Sequence, residues 1–142
     1  MFCYRRTAQY HETDQMGIIH HANYIKWMEE ARVAFMDEVF GFGYVEMEAA
    51  QVFSPVVGVQ LSYHRPVWFA DRVEIEVEIA SYTGTRLVLN YRMRNVTKGT
   101  LCTSATSTHC FLRDNRVVSL KTELPELDEK IRACMKDAER AD

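Results

Sequence analysis

The chain has 142 residues, is 47% hydrophobic and 26% charged, and carries a formal net charge of −3. That is enough chain for one domain, residues 1–142, burying roughly 68–70% of its unfolded surface. A mildly acidic chain with no basic face excludes a nucleic-acid footprint, and no apolar run approaches the roughly 18 residues of a membrane span.

Residues 1–10 read as a short strand ending near Tyr10. The basic pair Arg5-Arg6 has no apolar run behind it, so no signal peptide is expected. Gly17 permits a turn. A helix is predicted from about Asn23 to Phe40, with Asn23 as its cap and Gly41 as its stop. Its apolar face is Trp27, Met28, Ala31, Ala34, Phe35 and Val39, with Lys26, Glu29, Glu30, Asp37 and Glu38 turned away.

From Gln51 onward the hydrophobic period changes to two. Val57, Val59, Leu61 and Tyr63 alternate with small or polar residues until Pro66. Val73 to Ile79 alternates strictly with Glu74, Glu76 and Glu78, which predicts a strand with one wet face. Tyr82-Thr83-Gly84-Thr85 reads as a hairpin loop, and Leu87, Leu89, Tyr91 and Met93 continue the pattern beyond it. Thr97-Lys98-Gly99 is a second loop, followed by a long strand from Thr100 to Leu112. Asp114-Asn115 is a turn signal before a short strand at Val117-Val118. Residues 125–142 form a charged C-terminal helix with Leu127, Ile131, Cys134 and Ala138 as an apolar stripe. An α+β class follows: one long helix must bury its apolar face against a curved antiparallel sheet.

The four cysteines, Cys3, Cys102, Cys110 and Cys134, have no CxxC spacing. Reduced thiols in a cytoplasmic protein are the expected state.

The densest chemistry lies between Tyr10 and Tyr24. Asp14 sits in a turn just before the long helix, and His20, His21 and Asn23 follow within nine residues of it. A carboxylate, an imidazole and a helix N-terminus in one short segment supply a base, a polar partner and an electropositive pocket for an oxyanion. His11, Asp14, His20 and His21 are metal-type ligands, yet adjacent histidines in a turn rarely reach one ion and no HExxH spacing exists. No metal and no cofactor is therefore expected. A Gly-x-Ser-x-Gly elbow, a P-loop and a dinucleotide glycine motif are all missing.

Tyr10, Thr13-Asp14, Gly17, Ile18-Ile19 and His20-His21-Ala22-Asn23-Tyr24 together resemble the hotdog-fold acyl-CoA thioesterases. The likeness is to the 4-hydroxybenzoyl-CoA thioesterase family, most closely its YbgC-like branch. Glu29-Glu30-Ala31-Arg32 and Tyr63-His64-Arg65-Pro66 through Asp71 extend it to roughly residues 2–121. His20 departs from the aromatic residue usual at its position, and Met16 replaces a small one.

The resemblance implies a hotdog fold, thioester hydrolysis, Asp14 as catalytic carboxylate and His21 lining the site with its backbone N–H near the thioester carbonyl. Gly17, His20, Asn23, Tyr24 and Tyr63 are the expected substrate contacts. A homodimer or homotetramer with sites between subunits is implied, acting on acyl-CoA or on acyl carrier protein. Taken alone, Asp14 reads as a turn residue, Asn23 as a cap, and Tyr24 and Tyr63 as core. The alternative functions are a hotdog dehydratase and a non-catalytic acyl-CoA-binding module. Met28, Phe35, Met36 and the segment Phe40-Gly41-Phe42-Gly43-Tyr44 are expected to line the acyl pocket floor. Arg65, Arg72, Arg86, Arg92, Arg94 and Lys98 are candidates for the CoA phosphates, with cross-strand pairing to the glutamates as the plainer reading.

Overall fold

The computed structural model describes residues 1–141, so Asp142, the end of the predicted C-terminal helix, lies outside the described residues. Five antiparallel strands form the main sheet: β1 (Cys3–Thr7), β2 (Val56–Tyr63), β3 (Arg72–Tyr82), β4 (Arg86–Asn95) and β5 (Thr100–Cys110). Their order is β1-β3-β4-β5-β2. The central strands follow the sequence period. Val73, Ile75 and Val77 of β3 and Leu87, Leu89, Tyr91 and Met93 of β4 are buried. On the other face Glu74 stands opposite Arg94 and Glu76 opposite Arg92, opposite-charge neighbours worth roughly 0.2–1 kcal/mol each. Arg5 of β1 also reaches Glu74, at 3.2 Å. Of the residues nominated for phosphates, Arg92 and Arg94 thus sit where cross-strand pairing places them.

The long helix α1 (Asn23–Phe35) lies against the inner face and continues as one π-helical turn, Met36–Phe40. Trp27, Met28, Ala31 and Phe35 are buried, as the periodicity predicts, and so is Tyr24, while Ala34 is half-buried. Val39 is not: it is 40% exposed, while Met36 and Phe40 are buried. A π turn holds one residue more than an α turn, which advances the buried face from position 39 to 40. Gly41 ends the helix in the left-handed conformation, φ 62°. A short helix α2 (Tyr44–Ala49) follows, which the periodicity does not predict. A Cβ on Gly43 would fall 1.8 Å from an Asp37 carboxylate oxygen, so a side chain there would have to displace that exposed carboxylate.

The first strand stops at Thr7 and gives way to a 3-10 turn at Tyr10–Glu12. β2 differs more. Apart from half-buried Leu61 it is exposed throughout, because it is the sheet's outer strand. The predicted strand to Leu112 ends at Cys110, and Leu112 belongs to a small hairpin, β6 (Leu112–Arg113) with β7 (Arg116–Val117). Asp114 and Asn115 both have positive φ, as a two-residue hairpin loop demands. After α3 (Leu120–Glu123), α4 (Pro125–Ala141) docks through buried Leu127 and Ile131, while Ala138 is exposed. The Tyr82 hydroxyl donates to the buried Asp128 carboxylate of α4, which also accepts from Arg132 Nε at 3.1 Å. No helix among the described residues is long and apolar enough to cross a membrane. The helix wrapped by an antiparallel sheet is the hotdog arrangement.

Candidate active site

Asp14 opens a tight hairpin. Its N–H donates to the Ile18 carbonyl at 2.9 Å, and Gly17 N–H returns to the Asp14 carbonyl at 3.0 Å. Three residues span the loop, and Gly17 takes φ 81°, a conformation that suits glycine. The Asp14 Oδ1 accepts the Met16 N–H at 2.8 Å. Among the described residues its Oδ2 has no hydrogen-bond donor.

Two flanking segments hold this hairpin. Ile19 N–H donates to the Val67 carbonyl at 2.8 Å, and Ile18 bridges Trp68. That segment is fixed in turn by the buried Asp71, whose carboxylate accepts the Trp68 N–H and the Asn95 amide at 3.0 and 2.7 Å. On the other side the Glu12 carbonyl accepts both the His20 N–H at 2.9 Å and the Asn23 amide at 2.8 Å. Asn23 is therefore the first helical residue, tied back to the turn, and not the cap. The capping position is Ala22, with no side-chain bond.

The Glu12 side chain is a further anchor, and the sequence reading missed it. It is buried and accepts from Arg6 at 2.8 Å, from the Trp27 indole at 2.7 Å and from the Gln9 N–H at 2.8 Å. Burial alone would raise its pKa, but the Arg6, Trp27 and Gln9 donors outweigh it and hold the carboxyl below its usual value. Arg6 also bonds Glu30 at 2.9 Å and lies 4.5 Å over the Trp27 ring. The Gln9-x-x-Glu12 spacing, that of a capping box, was the available signal.

Asp14, His21, Tyr24 and Tyr63 come together around a cleft of about 370 Å³, with Met16, His64 and Arg65 on its walls. Tyr63 donates its hydroxyl to the His21 carbonyl at 2.9 Å, and its ring meets Tyr24 edge-on at 5.2 Å. Burial raises the Tyr24 hydroxyl well above its ordinary pKa, so it stays a neutral donor. Among the described residues the His21 N–H makes no hydrogen bond. Gly17 shapes the turn without lining the cleft. His20 stacks on His21 at 4.2 Å and accepts the Ala22 N–H at 3.1 Å, also outside the cleft walls. Met28, Phe35, Met36 and Phe40 pack in the core, and Tyr44 faces a different cleft.

Among the described residues, the Tyr63 hydroxyl makes the one side-chain hydrogen bond that pins the His21 residue. Tyr63→Phe is expected to lower kcat/KM about 5- to 10-fold, the worth of one neutral hydrogen bond. Steady-state kinetics with an unchanged melting temperature would check it.

A hairpin carboxylate thus stands beside the start of α1 on a hotdog fold. The chain belongs to the thioesterase-like superfamily, whose family model matches residues 8–133. It is 42% identical over 102 residues, 72% of each chain, to YneP of Bacillus subtilis (strain 168), named provisionally as an acyl-CoA thioesterase. It is 33% identical over 86 residues to the acyl-CoA thioester hydrolase YbgC of Escherichia coli, covering 61% of this chain and 63% of YbgC. The crystal structure of a DHNA-CoA thioesterase from Staphylococcus aureus superposes with a TM-score of 0.93 at 26% identity, covering 99% of this chain and 94% of that one.

Proposed function

We propose that this protein hydrolyses acyl-CoA thioesters, giving free CoA and a carboxylic acid, with Asp14 as the acting carboxylate. One observation carries the reading. The free oxygen of Asp14 and the unbonded N–H of His21 share one cleft at the start of α1. The thioester carbonyl oxygen accepts from the His21 N–H, and the partial positive charge of the helix end, about half an elementary charge, favours the developing oxyanion. Asp14 then takes a proton from water, or attacks the carbonyl itself to give a mixed anhydride that water opens. Thiolate is a good leaving group, so neither route needs a strong acid. The names of the relatives support CoA as the carrier.

The same reading includes a homodimer joined through β2. The strand leaves one edge unpaired, with Val56, Val57, Val59 and Tyr63 each at least 37% exposed, a template for a second copy. Light scattering is expected to give at least twice the 16.5 kDa protomer mass. Val57→Lys with Val59→Lys should shift it to one protomer, because charges on an edge oppose pairing. A wild-type monomer would remove the interface.

The direct test is thiol release from a panel of aliphatic and aryl CoA esters. Turnover on any of them supports the hydrolase. Silence on all of them, followed by turnover on acyl-carrier-protein thioesters, would change the carrier. Silence on both would leave a binding module.

A further inference from the structure

At the other end of α1 lies a second cleft, of about 380 Å³. Its walls are largely apolar, built from Val33, Phe53, Pro55 and Leu112, with Tyr44 and Ser54 adding hydroxyls. Its buried charge is Arg32, only 8% exposed. Among the described residues no carboxylate pairs with this guanidinium, and its Nε is buried without a hydrogen-bond partner. The Tyr44 ring centroid lies 5.5 Å from it. Glu29 and Glu48 also line the cleft, but both are exposed, where solvent screens them.

An uncompensated guanidinium out of water is costly, and cations so placed are normally paired. The hydroxyls of Tyr44 and Tyr91 reach the guanidinium, but they are neutral and supply no countercharge. Ser107 links Tyr91 and His109 by bonds of 2.7 Å each, all neutral. Burial, then Arg32 itself, pushes the His109 imidazole down to about 4, so it is uncharged at neutral pH. Arg32 is left as a buried cation at the base of an apolar cleft.

We infer that this cleft binds a carboxylate carried on an apolar body, with Arg32 as the anion ligand and Tyr44 and Ser54 as further donors. Apolar walls around one fixed charge select an alkyl or aryl carboxylate over an inorganic anion. The ligand is the far end of the acyl group, a step that rests on the hydrolase and dimer reading above. Antiparallel pairing of β2 about its midpoint sets the Val56 end of one copy opposite the Tyr63 end of the other. Ser54 and Pro55 just before Val56 line the Arg32 cleft, and Tyr63 lines the Asp14 cleft. The two clefts then adjoin across the interface, so an acyl group cleaved in one extends into the other.

The test is hydrolysis of two matched CoA-ester series, ω-carboxyacyl (succinyl to adipyl) and methyl-terminated of equal length. The readout is the ratio of their kcat/KM values. Wild type is expected to favour the carboxylates by about 10- to 100-fold, the worth of a charged hydrogen bond. Arg32→Gln should bring that ratio to about one, and Arg32→Lys should keep part of it. A ratio near one in wild type, or a preference that survives Arg32→Gln, would overturn the proposal. If Arg32→Gln does not fold, Tyr44→Phe takes its place, with a smaller but measurable loss of the ratio expected and an unchanged ratio counting against the site. If wild type cleaves no CoA ester, the reading of CoA esters as its substrates has failed by itself. The cleft is then tested by calorimetric titration of glutarate and phthalate into wild type and Arg32→Gln. Saturable binding lost in the variant keeps the anion site, and no binding to wild type overturns it.

Discussion

Asp14→Asn is expected to lower kcat by about a hundred- to ten-thousand-fold while the protein stays folded. The substitution is nearly isosteric. The asparagine carbonyl still accepts the Met16 N–H, so the hairpin that Asp14 opens is kept. What disappears is the negative charge on the free oxygen, which either hydrolytic route requires. The loss should fall on kcat and kcat/KM alike, because the carboxylate acts at the reacting carbon and not on the bound ground state. Circular dichroism and an unchanged melting temperature exclude a folding explanation. A single turnover in 18O-labelled water tests the covalent route: label in the Asp14 carboxylate marks a mixed anhydride opened at the Asp14 carbon, whereas label only in the released acid arises from a general base or from an anhydride opened at the acyl carbon. A variant retaining more than about a tenth of wild-type kcat would remove Asp14 from the chemistry.

The sheet was legible because β3 and β4 have one buried and one wet face, so Val73-Glu74-Ile75-Glu76 carries its own geometry in its period. β2 has the same alternation with a different outcome. Its position at the sheet's edge leaves Val57 and Val59 exposed in the protomer, and edge position is set by tertiary order, which a period cannot encode. The α1 face was predicted correctly up to Phe35 and missed after it, since a π turn has no composition signature of its own. At the site, the residues that point into the cleft were found through their motif. The residues that hold the motif in place were not. Glu12 and Asp71 fall within the stretches that carry the resemblance without a role of their own, and only the fold brings Arg6, Trp27 and Asn95 to them. Nothing in the local pattern marks Arg32 as buried, and only the fold covers it.

Glu12→Gln is the substitution with the largest expected effect on stability, a loss of about 3–5 kcal/mol. The amide cannot neutralise Arg6, whose side chain is only 12% exposed, and its NH2 presents donors to groups that are themselves donors. Glu30 still pairs with Arg6 at 2.9 Å, but it is more exposed and better screened. At roughly 3 °C per kcal/mol for a chain of this size, the melting temperature should fall by on the order of 10–15 °C. The pH dependence has a definite sign. The folded-state pKa of Glu12 lies below its ordinary value, so its stabilisation is fully present above about pH 4.3, the unfolded value. It is lost as pH falls through the folded pKa. The stability gap between wild type and Glu12→Gln should therefore be constant near neutrality and narrow in acid. Arg6→Met made together with Glu12→Leu should cost less than the sum of the single changes, because it removes the charge and its counterion together. Denaturant melts of the five proteins (wild type, Glu12→Gln, Arg6→Met, Glu12→Leu and the double variant) at pH 7 and pH 3.5 would decide it. A gap that widened in acid would mean that burial, and not the Arg6 pair, governs the ionisation of Glu12.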